Sequence, residues 1–401
     1  MLNILFLFAV YPEDKNSSFL TKDLPDALTL RGENVYVATI RERRLGLPTS
    51  LSDEYGKQIL RVKIGNMFNG TSKIEKGLTT LFMNRPLLSE VKKHWGDIKF
   101  DLIVGSTPYT ANHHLISNLK AHFRCPAFLI LWDIFPQNAK DLGLIKNKFL
   151  FNALKRREVK SLKQFDYIGC MSDGNINYVK ENYPFIDTDK LSLFPLWAGK
   201  NKVEKITAIS RDELGFKEDD FIAVFGGQMG PAQNLSNVIN LAIEVRNLTE
   251  VKFLFIGEGP DADNIKHQVK DLKLLNVTFI DRLDRAKYES VMASCNVGLV
   301  SLHPDFTVPN FPSKTVEYLK YGLPILASLD KSALGDYGDF IQEKLKVGLC
   351  CHAENMHDYK RNLLRLCKDK AFYTELASNA KNTYEDNFDV QVNCDRILER
   401  C

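Results

Sequence analysis

The sequence has little of what would define its class at once. Its 53 basic and 50 acidic residues nearly cancel to a net charge of +3, which excludes the strong positive charge typical of nucleic-acid-binding proteins. No segment approaches the ~20 consecutive apolar residues that a membrane-spanning helix needs. There is no tandem repeat and no G-x-G-x-x-G dinucleotide fingerprint. These absences disfavour a nucleic-acid-binding protein, an integral membrane protein and a dehydrogenase.

Cysteine is present but not in any paired motif. The eight cysteines form no C-x-x-C pair, and no spaced cysteine pair precedes a histidine pair as in a zinc finger. Several lie in apolar stretches such as Ile168–Met171, where buried free thiols are common. We therefore expect a protein of the reducing cytosol. The apolar run Leu2–Val10 lacks the basic start and cleavage site of a signal peptide and is predicted to be a buried strand.

The 401 residues, 44% of them hydrophobic, predict two domains. Short apolar runs alternate with helical patterns from Asn3 to Met171, and the alternation restarts at Phe221. This pattern predicts α/β domains with parallel, doubly wound sheets. The Pro- and Gly-containing stretch Phe194–Lys202 is the best linker candidate. The predicted division is 1–196, 203–375, and a C-terminal helix over 376–401 that returns to the first domain.

Charge differs between the two halves. Residues 1–200 carry 28 basic and 20 acidic side chains, whereas residues 201–401 carry 25 and 30. The stretch Lys146–Arg157 joins basic residues to Phe149, Leu150, Phe151 and Leu154. It is either a helix that lies on an anionic membrane or an ordinary helix with a solvated basic face.

Two glycine turns give the clearest signal of a site. Phe225–Asn234 follows one apolar strand and precedes a helical run, and Gly257–Pro260 ends the next strand. Glycines allow backbone N–H groups to approach a phosphate, although such turns are also glycine-rich for steric reasons. In a parallel sheet both turns fall at the carboxyl edge, where ligands bind. The candidate residues are Gly226, Gly227, Gln228, Gly230, Gly257 and Gly259.

A third element, Pro309–Pro324, predicts a short helix. Ser313 is a plausible N-cap residue. Ser313, Lys314 and Thr315 would present hydroxyls, a cation and free amides to a diphosphate. Glu317, one turn further on, could accept hydrogen bonds from a ribose, or it could be an ordinary surface acid.

These three segments, in this order, resemble glycosyltransferase family 4 of the GT-B fold. The nearest resemblance is to the bacterial branch that builds O-antigen, capsule and colanic-acid repeat units, including N-acetyl-L-fucosamine transferases. The third segment reads P-S-K-x-x-E-Y-x-x-x-G-x-P-I. In the first half, Leu131–Gln137 is similar to the branch's R-D-L-W-P-E segment, and Phe194–Trp197 to its F-P-N-W segment. The resemblance covers essentially the whole chain and implies two Rossmann-like domains that face a central cleft.

The resemblance places the nucleotide-sugar donor, expected to be UDP-linked, on the second domain. It implies that Gly226, Gly227 and Gly230 line the diphosphate. Glu317 matches the second Glu of the family's E-x7-E motif, which binds the ribose, but Pro309 stands where the first Glu is expected.

A second departure concerns cations. The Arg and Lys that many members place after the first glycine turn are Gln228 and Gln233 here. Lys314 is the first candidate to replace them at the departing diphosphate, and Arg282 the second.

The family is retaining and needs no divalent metal, and we expect no cofactor beyond the nucleotide sugar. Helix N-termini and basic side chains would stabilise the leaving diphosphate. Asp261 and Asp263 form a D-x-D motif, but they stand at an apparent helix start, where acidic residues are ordinary. We therefore predict no metal site.

Acceptor-side candidates come from the first domain. Asp133 follows a strand end and could position or deprotonate an acceptor hydroxyl, or it could simply cap the next helix. His113, in the region where some relatives carry a cleft histidine, is a second catalytic candidate. The segment Tyr11–Ser18 is a candidate acceptor loop.

The sequence thus predicts a retaining hexosyltransferase that moves a sugar from a nucleotide donor to a lipid-linked glycan acceptor. We expect it in the cytoplasm, in peripheral contact with the anionic inner face of the plasma membrane, with no nucleic-acid partner. A UDP-sugar 2-epimerase of the same fold and a non-catalytic nucleotide-sugar sensor are the alternatives.

Overall fold

The computed structural model describes residues 1–13, 19–67, 71–198 and 208–401, with Lys73 described by its backbone alone. The chain divides into two compact units. The first comprises Met1–Lys200 together with Asp389–Cys401, and the second comprises Asn201–Phe388. Each unit is an α/β domain built around its own sheet.

The first domain contains an eight-stranded sheet in the order β3-β4-β2-β1-β5-β6-β7-β8. Only the β3–β4 pair among these strands is antiparallel. Its central strands are buried on both faces, as a parallel sheet covered by helices requires. The strands are β1 (Asn3–Phe8), β2 (Asn34–Glu42), β3 (Ser50–Glu54), β4 (Lys57–Ile64), β5 (Leu102–Ser106), β6 (Ala127–Leu131), β7 (Tyr167–Cys170) and β8 (Leu191–Leu193).

The second domain contains a six-stranded, fully parallel sheet in the order β11-β10-β9-β12-β13-β14. This is the Rossmann strand order, in which the chain direction across the sheet reverses between β9 and β12. The strands are β9 (Phe221–Gly226), β10 (Val251–Ile256), β11 (Val277–Ile280), β12 (Val297–Ser301), β13 (Ile325–Leu329) and β14 (Gly348–His352).

Helices connect the strands and cover both sheets. Among the described residues, none of these helices is both long and apolar enough to cross a membrane. The helices are α1 (Leu20–Leu30), α2 (Lys73–Phe82), α3 (Asn84–Trp95), α4 (His113–Phe123), α5 (Gln137–Asp141), α6 (Lys148–Leu162), α7 (Asp173–Asn182), α8 (Leu235–Glu244), α9 (Ala262–Asp271), α10 (Arg285–Met292), α11 (Lys314–Lys320), α12 (Lys331–Ala333), α13 (Met356–Lys368), α14 (Lys370–Asn387) and α15 (Val390–Leu398).

The last helix packs on the first domain, as expected for the C-terminal segment, but the crossing comes later than residue 376. Helix α14 stays with the second domain because Leu376 is buried in its core. Only α15 returns, where Val390, Cys394 and Ile397 are buried in the core of the first domain.

The first half of the predicted linker Phe194–Lys202 is not a linker but part of the first domain. Phe194, Leu196 and Trp197 are almost fully buried, because their side chains complete the first domain's core. The Trp197 indole N–H donates to the Leu20 carbonyl oxygen over 3.0 Å. Residues 199–202 lie outside the described residues.

Candidate functional site

Both glycine turns lie at the carboxyl edge of the second sheet. β9 ends at Gly226 and the neighbouring β10 ends at Ile256, so the two turns leave the sheet side by side. The Met229 N–H donates to the Glu258 carbonyl oxygen over 2.8 Å, and the Asp261 N–H donates to the Met229 carbonyl oxygen over 3.1 Å. The turns therefore form one hydrogen-bonded unit beside the reversal point of the sheet, where ligands bind in this topology.

Three of the glycines are required by packing within the protein. At Gly226 a Cβ atom would clash with the Tyr288 hydroxyl. Gly257 and Gly259 have φ angles of +137° and +156°, and a Cβ on either would clash with a backbone carbonyl of the first turn. These three residues allow the two turns to approach each other closely.

Gly227 and Gly230 differ from the other three. Gly227 has a φ of +125°, and a Cβ there would meet nothing within 4 Å, so this exposed position is open to a ligand. Gln228 beside it is also exposed. Gly230 has a φ of −142° and its nearest neighbour would be a Pro260 carbon at 3.7 Å, so neither backbone nor packing requires glycine there.

Lys314, at the start of α11, brings a cation to this edge. Its Nζ donates to Gln233 Oε1 over 2.6 Å and stands 3.6 Å from the centroid of the Phe225 ring. No carboxylate of the described chain lies within ion-pairing distance of it, and burial lowers the pKa of the Lys314 amine to about 7. The Lys314 ammonium thus contacts the side chain at position 233.

The structure corrects the roles expected of the neighbours of Lys314. Thr315 is fully buried and its hydroxyl lies 2.7 Å from the Tyr337 hydroxyl, so it cannot present that hydroxyl to a diphosphate. Ser313 is exposed at the N-cap position, but its side chain makes no capping hydrogen bond because its backbone is already helical.

Glu317 belongs to an ion-pair network and is not an isolated surface acid. Both of its carboxylate oxygens contact Nη2 of Arg285, at 2.9 and 3.1 Å. Arg285 also donates from Nε to Glu289 over 2.7 Å, and Glu289 in turn contacts Lys320 at 2.9 Å. The half-buried Glu317 carboxylate is therefore held in one orientation. Its ribose-binding role stays a prediction.

Arg282 lies at the same edge of the second sheet, on a different strand connection from Lys314. It follows β11, is largely exposed, and its guanidinium lies 3.4 Å from the Glu258 carboxylate on the second glycine turn. It adds a cation beside that turn. Within the described part of the chain, Arg282 and Lys314 do not contact each other.

Asp261 and Asp263 surround the start of α9. Asp261 occupies the N-cap position and Asp263 stands in the first turn. Within the described ranges no three His, Cys, Asp or Glu side chains come close enough together to hold a metal ion. The eight cysteines are all free thiols.

His303 is a candidate that the sequence reading missed. It follows β12 at the reversal point, and its backbone N–H donates to the Ala232 carbonyl oxygen over 3.0 Å. Its Nδ1 accepts a hydrogen bond from the Asp305 N–H over 3.3 Å, which places the proton of the neutral ring on Nε2. Its position directly after a buried strand was the available signal.

The first domain holds a cavity of about 340 Å³ that brings the acceptor-side candidates together. Asp133, His113 and Arg157 all line it, and so does Thr80 of α2. The Asp133 N–H donates to Thr107 Oγ1 over 2.8 Å. Its carboxylate makes no hydrogen bond or ion pair with a described residue.

The structure removes one of the two interpretations of Asp133, the helix cap. Helix α5 begins after Pro136 and has no side-chain cap, so Asp133 does not cap it. The surrounding cavity wall partly desolvates the carboxyl group and raises its pKa above the ordinary value of 3.8. A carboxylate of raised pKa without a partner is available to a ligand.

His113 and the start of the predicted acceptor loop are the other candidates in the first domain. His113 is the exposed first residue of α4, and its backbone N–H donates to the Ser161 hydroxyl of α6 over 3.1 Å. Tyr11–Glu13 follow β1, and the Arg61 guanidinium donates to the Pro12 carbonyl oxygen over 2.9 Å. The rest of the predicted acceptor loop, 14–18, lies outside the described residues.

The second domain matches a known domain family. Residues 207–383 match the family model described as glycosyl transferases group 1. This match is a little under half of the chain and includes both glycine turns, His303 and α11. The second domain is therefore a glycosyl transferases group 1 domain, which confirms the predicted class at the level of that domain.

Among curated proteins, a Pseudomonas aeruginosa protein named probable glycosyltransferase WbjE is 24% identical over 212 residues. The match spans 51% of this chain and 51% of that relative, about half the length of each.

Solved structures are similar along the whole chain. Sucrose-phosphate synthase from Thermosynechococcus elongatus superimposes with a TM-score of 0.77 at 16% identity, covering 100% of this chain and 98% of the other. Anabaena HepE in complex with UDP-glucose superimposes with a TM-score of 0.68 at 15% identity, covering 100% and 99%. The GT-B fold of two Rossmann-like domains is confirmed.

Proposed function

We propose that this chain is a retaining, metal-independent glycosyltransferase that moves a sugar from a nucleotide donor to a lipid-linked glycan. The pathway class would be bacterial surface-polysaccharide synthesis: O-antigen, capsule or exopolysaccharide. The observation that carries the proposal is the Lys314 ammonium beside the open glycine turn of a glycosyl transferases group 1 domain.

On the donor side, the turn around Gly227 receives the diphosphate and Lys314 balances its charge. Breaking the bond between the anomeric carbon and the β-phosphate oxygen leaves negative charge on the diphosphate, which a positioned cation stabilises in the transition state. Glu317, oriented by Arg285, accepts hydrogen bonds from the ribose. Binding of UDP-glucose by HepE, a protein of the same fold, supports a UDP-linked donor.

On the acceptor side, the cavity around Asp133 holds the attacking hydroxyl. The acceptor oxygen forms the new bond to the anomeric carbon on the face that the diphosphate leaves, and its proton passes to the Asp133 carboxylate. Desolvation raises the pKa of that carboxyl, which brings a carboxylate base closer to the range where it is effective. His113 stands at the same cavity as the second candidate base.

A lipid-linked acceptor is supported by the basic residues along this cavity. Arg157 and Lys160 line it and can pair with the phosphates of a lipid diphosphate. Peripheral contact with the inner face of the plasma membrane would present such a lipid to the cavity.

The test is incubation with labelled nucleotide sugars and a polyprenyl-diphosphate glycan. Transfer of label to the lipid supports the proposal. A free isomerised sugar nucleotide would favour the epimerase, and binding without turnover would favour the sensor.

Glu317→Gln should raise the donor KM about tenfold or more and leave the melting temperature nearly unchanged, because it weakens the acceptor for the ribose hydroxyls while keeping the side-chain shape. Glu289→Gln is the matched control, since Glu289 contacts the same Arg285 from the other side. Equal KM changes in both variants would remove the ribose role and leave only a structural network.

A further inference from the structure

Tyr288 of α10 directs its hydroxyl to the carboxyl edge of the second sheet. The tip of its side chain packs against the backbone of Gly226, where an added Cβ atom would clash with the hydroxyl oxygen and lie 3.1 Å from the ring carbon Cζ. Gly226 ends β9 and begins the first glycine turn, next to the open position at Gly227. The Tyr288 hydroxyl therefore lies at the base of the turn that is proposed to receive the diphosphate.

The same side chain lies beside the ion pair that holds Glu317. Arg285 stands three positions before Tyr288 on α10, and its guanidinium carbon is 5.9 Å from the centroid of the Tyr288 ring. Nη2 of Arg285 in turn contacts the Glu317 carboxylate at 2.9 Å. Tyr288 thus adjoins both the first glycine turn and the carboxylate that is proposed to bind the ribose.

The Tyr288 hydroxyl is a hydrogen-bond donor that the described part of the chain does not use. The side chain is half-buried, yet its hydroxyl makes no hydrogen bond with a described residue. Tyr318, which also contacts Gly226, differs: its hydroxyl accepts from the Gly226 N–H over 3.2 Å and donates to the Leu299 carbonyl oxygen over 3.0 Å. Burial, together with the negative charge of Glu317, raises the pKa of Tyr288, so its hydroxyl keeps its proton.

A phosphate oxygen is the acceptor that fits this position. In a nucleotide sugar the α-phosphate joins the ribose to the β-phosphate. With the diphosphate on the turn at Gly227 and the ribose at Glu317, the α-phosphate falls beside Tyr288. Ionised phosphate oxygens form short, charge-assisted hydrogen bonds with hydroxyl donors. A neutral donor here also supplements a turn that carries Gln228 in place of a cation.

We propose that the Tyr288 hydroxyl donates a hydrogen bond to the α-phosphate of the bound donor nucleotide. The contact with Gly226 places the hydroxyl for this role. The bond that breaks during transfer lies at the β-phosphate oxygen, so the hydrogen bond to the α-phosphate is the same in the bound donor and in the transition state. It therefore contributes to donor affinity and not to kcat. The identity of the ligand rests on the proposed function.

The experiment is calorimetric titration of the full chain and of Tyr288→Phe with UDP, and with UMP in competition with UDP. UMP keeps the α-phosphate and lacks the β-phosphate. Both affinities should fall about tenfold or more in the variant, the loss expected for a hydrogen bond to a charged group. The melting temperature of the free variant should stay nearly unchanged, because no hydrogen bond to a described residue is lost. A loss restricted to UDP would place the hydroxyl on the β-phosphate and overturn the proposal.

Tyr373→Phe is the matched control in the same domain. The Tyr373 hydroxyl donates to the Asn296 carbonyl oxygen over 3.0 Å, just before β12 and at the opposite edge of the sheet. This variant should lower the melting temperature and leave both nucleotide affinities as in the wild type. A Tyr288→Phe variant that behaves like Tyr373→Phe would make Tyr288 a packing residue only, and the proposal would be wrong.

Nucleotide binding and sugar transfer fail separately. UDP binding that Tyr288→Phe weakens, in a chain that transfers no sugar to any acceptor, keeps this contact and removes the proposed transferase. Sugar transfer with the same donor KM in the wild type and in Tyr288→Phe keeps the proposed function and removes the contact. A wild-type chain that binds neither UDP nor another nucleoside diphosphate at millimolar concentration removes both.

Discussion

Lys314 brings an amine with a depressed pKa to the edge where the glycine turns meet. With a pKa of about 7, most of the free protein carries this amine uncharged at pH 8. A bound diphosphate favours the ammonium form and raises that pKa, so UDP binding at pH 8 should take up a proton. UDP affinity should therefore fall as pH rises above 7, by at most about tenfold per pH unit. Calorimetry in buffers of different ionisation enthalpy measures the uptake.

Two substitutions separate charge from shape at this position. Lys314→Arg keeps a cation that does not titrate in this range, so proton uptake should disappear while UDP still binds. Lys314→Met should bind UDP more weakly with no pH dependence from this group. Proton uptake that persists in the Met variant would assign it to another residue.

Asp133 is expected to act as the base. Asp133→Asn should lower kcat about 10²- to 10⁴-fold and leave the donor KM nearly unchanged. Because desolvation raises the pKa of this carboxyl, kcat/KM of the wild type should fall with decreasing pH at a higher pH than for an ordinary aspartate. A larger loss in His113→Asn than in Asp133→Asn would transfer the role to His113.

At the scale of elements, the two glycine turns act as one unit whose positions differ in their tolerance of substitution. Gly259→Ala should lower the melting temperature and abolish UDP binding, because its Cβ would clash with the Met229 carbonyl oxygen and separate the turns. Gly230→Ala is the matched control and should be tolerated, since 3.7 Å to Pro260 is an ordinary contact. UDP titration followed by intrinsic fluorescence checks both. Equal effects would mean that the turns do not depend on close backbone approach.

The apolar strands of both sheets were predictable from the sequence, whereas the polar edge strand β3 was not. Central strands such as β1 and β9 were recognisable because all six residues of β9 and five of the six residues of β1 are buried. Strand β3 reads Ser-Leu-Ser-Asp-Glu and was missed, although Tyr55 and Gly56, with φ of 53° and 80°, form the turn that pairs it with β4. Its polar composition reflects its place at the sheet edge.

The glycine turns of the candidate site were predictable from the sequence. Its contacts between side chains that are distant in the sequence were less predictable. The glycine turns are visible in the sequence because Gly227, Gly257 and Gly259 have φ angles between +125° and +156°, which side chains other than glycine rarely adopt. The contact of Lys314 with Gln233 spans 81 positions, and that of Arg285 with Glu317 spans 32. The burial of Thr315 depends on Tyr337, another distant residue. No local pattern encodes such pairs.

At the scale of the whole molecule, the first domain is built from two separate parts of the chain. Asn393 donates to the Pro195 carbonyl oxygen over 2.8 Å, and Val390, Cys394 and Ile397 complete the core. Ending the chain at Phe388 should expose these contacts and destabilise the first domain by about 5 kcal/mol. Calorimetry should show a lowered or absent transition for that domain and an unchanged one for the second.

Val392→Ser tests whether any substitution in α15 would also destabilise the first domain. Val392 is 38% exposed on this helix, so the substitution should leave both transitions in place. A truncated chain that unfolds like the full chain would show that α15 contributes nothing to the first core.

The return of α15 also sets an order of events during protein synthesis. The second domain, residues 201–388, has its whole sequence available before the last helix emerges from the ribosome. The first domain, although its strands are made earlier, lacks Val390 to Ile397 until α15 has been synthesised. The later-synthesised domain can therefore close first, and the nascent first domain keeps an open apolar surface until α15 emerges.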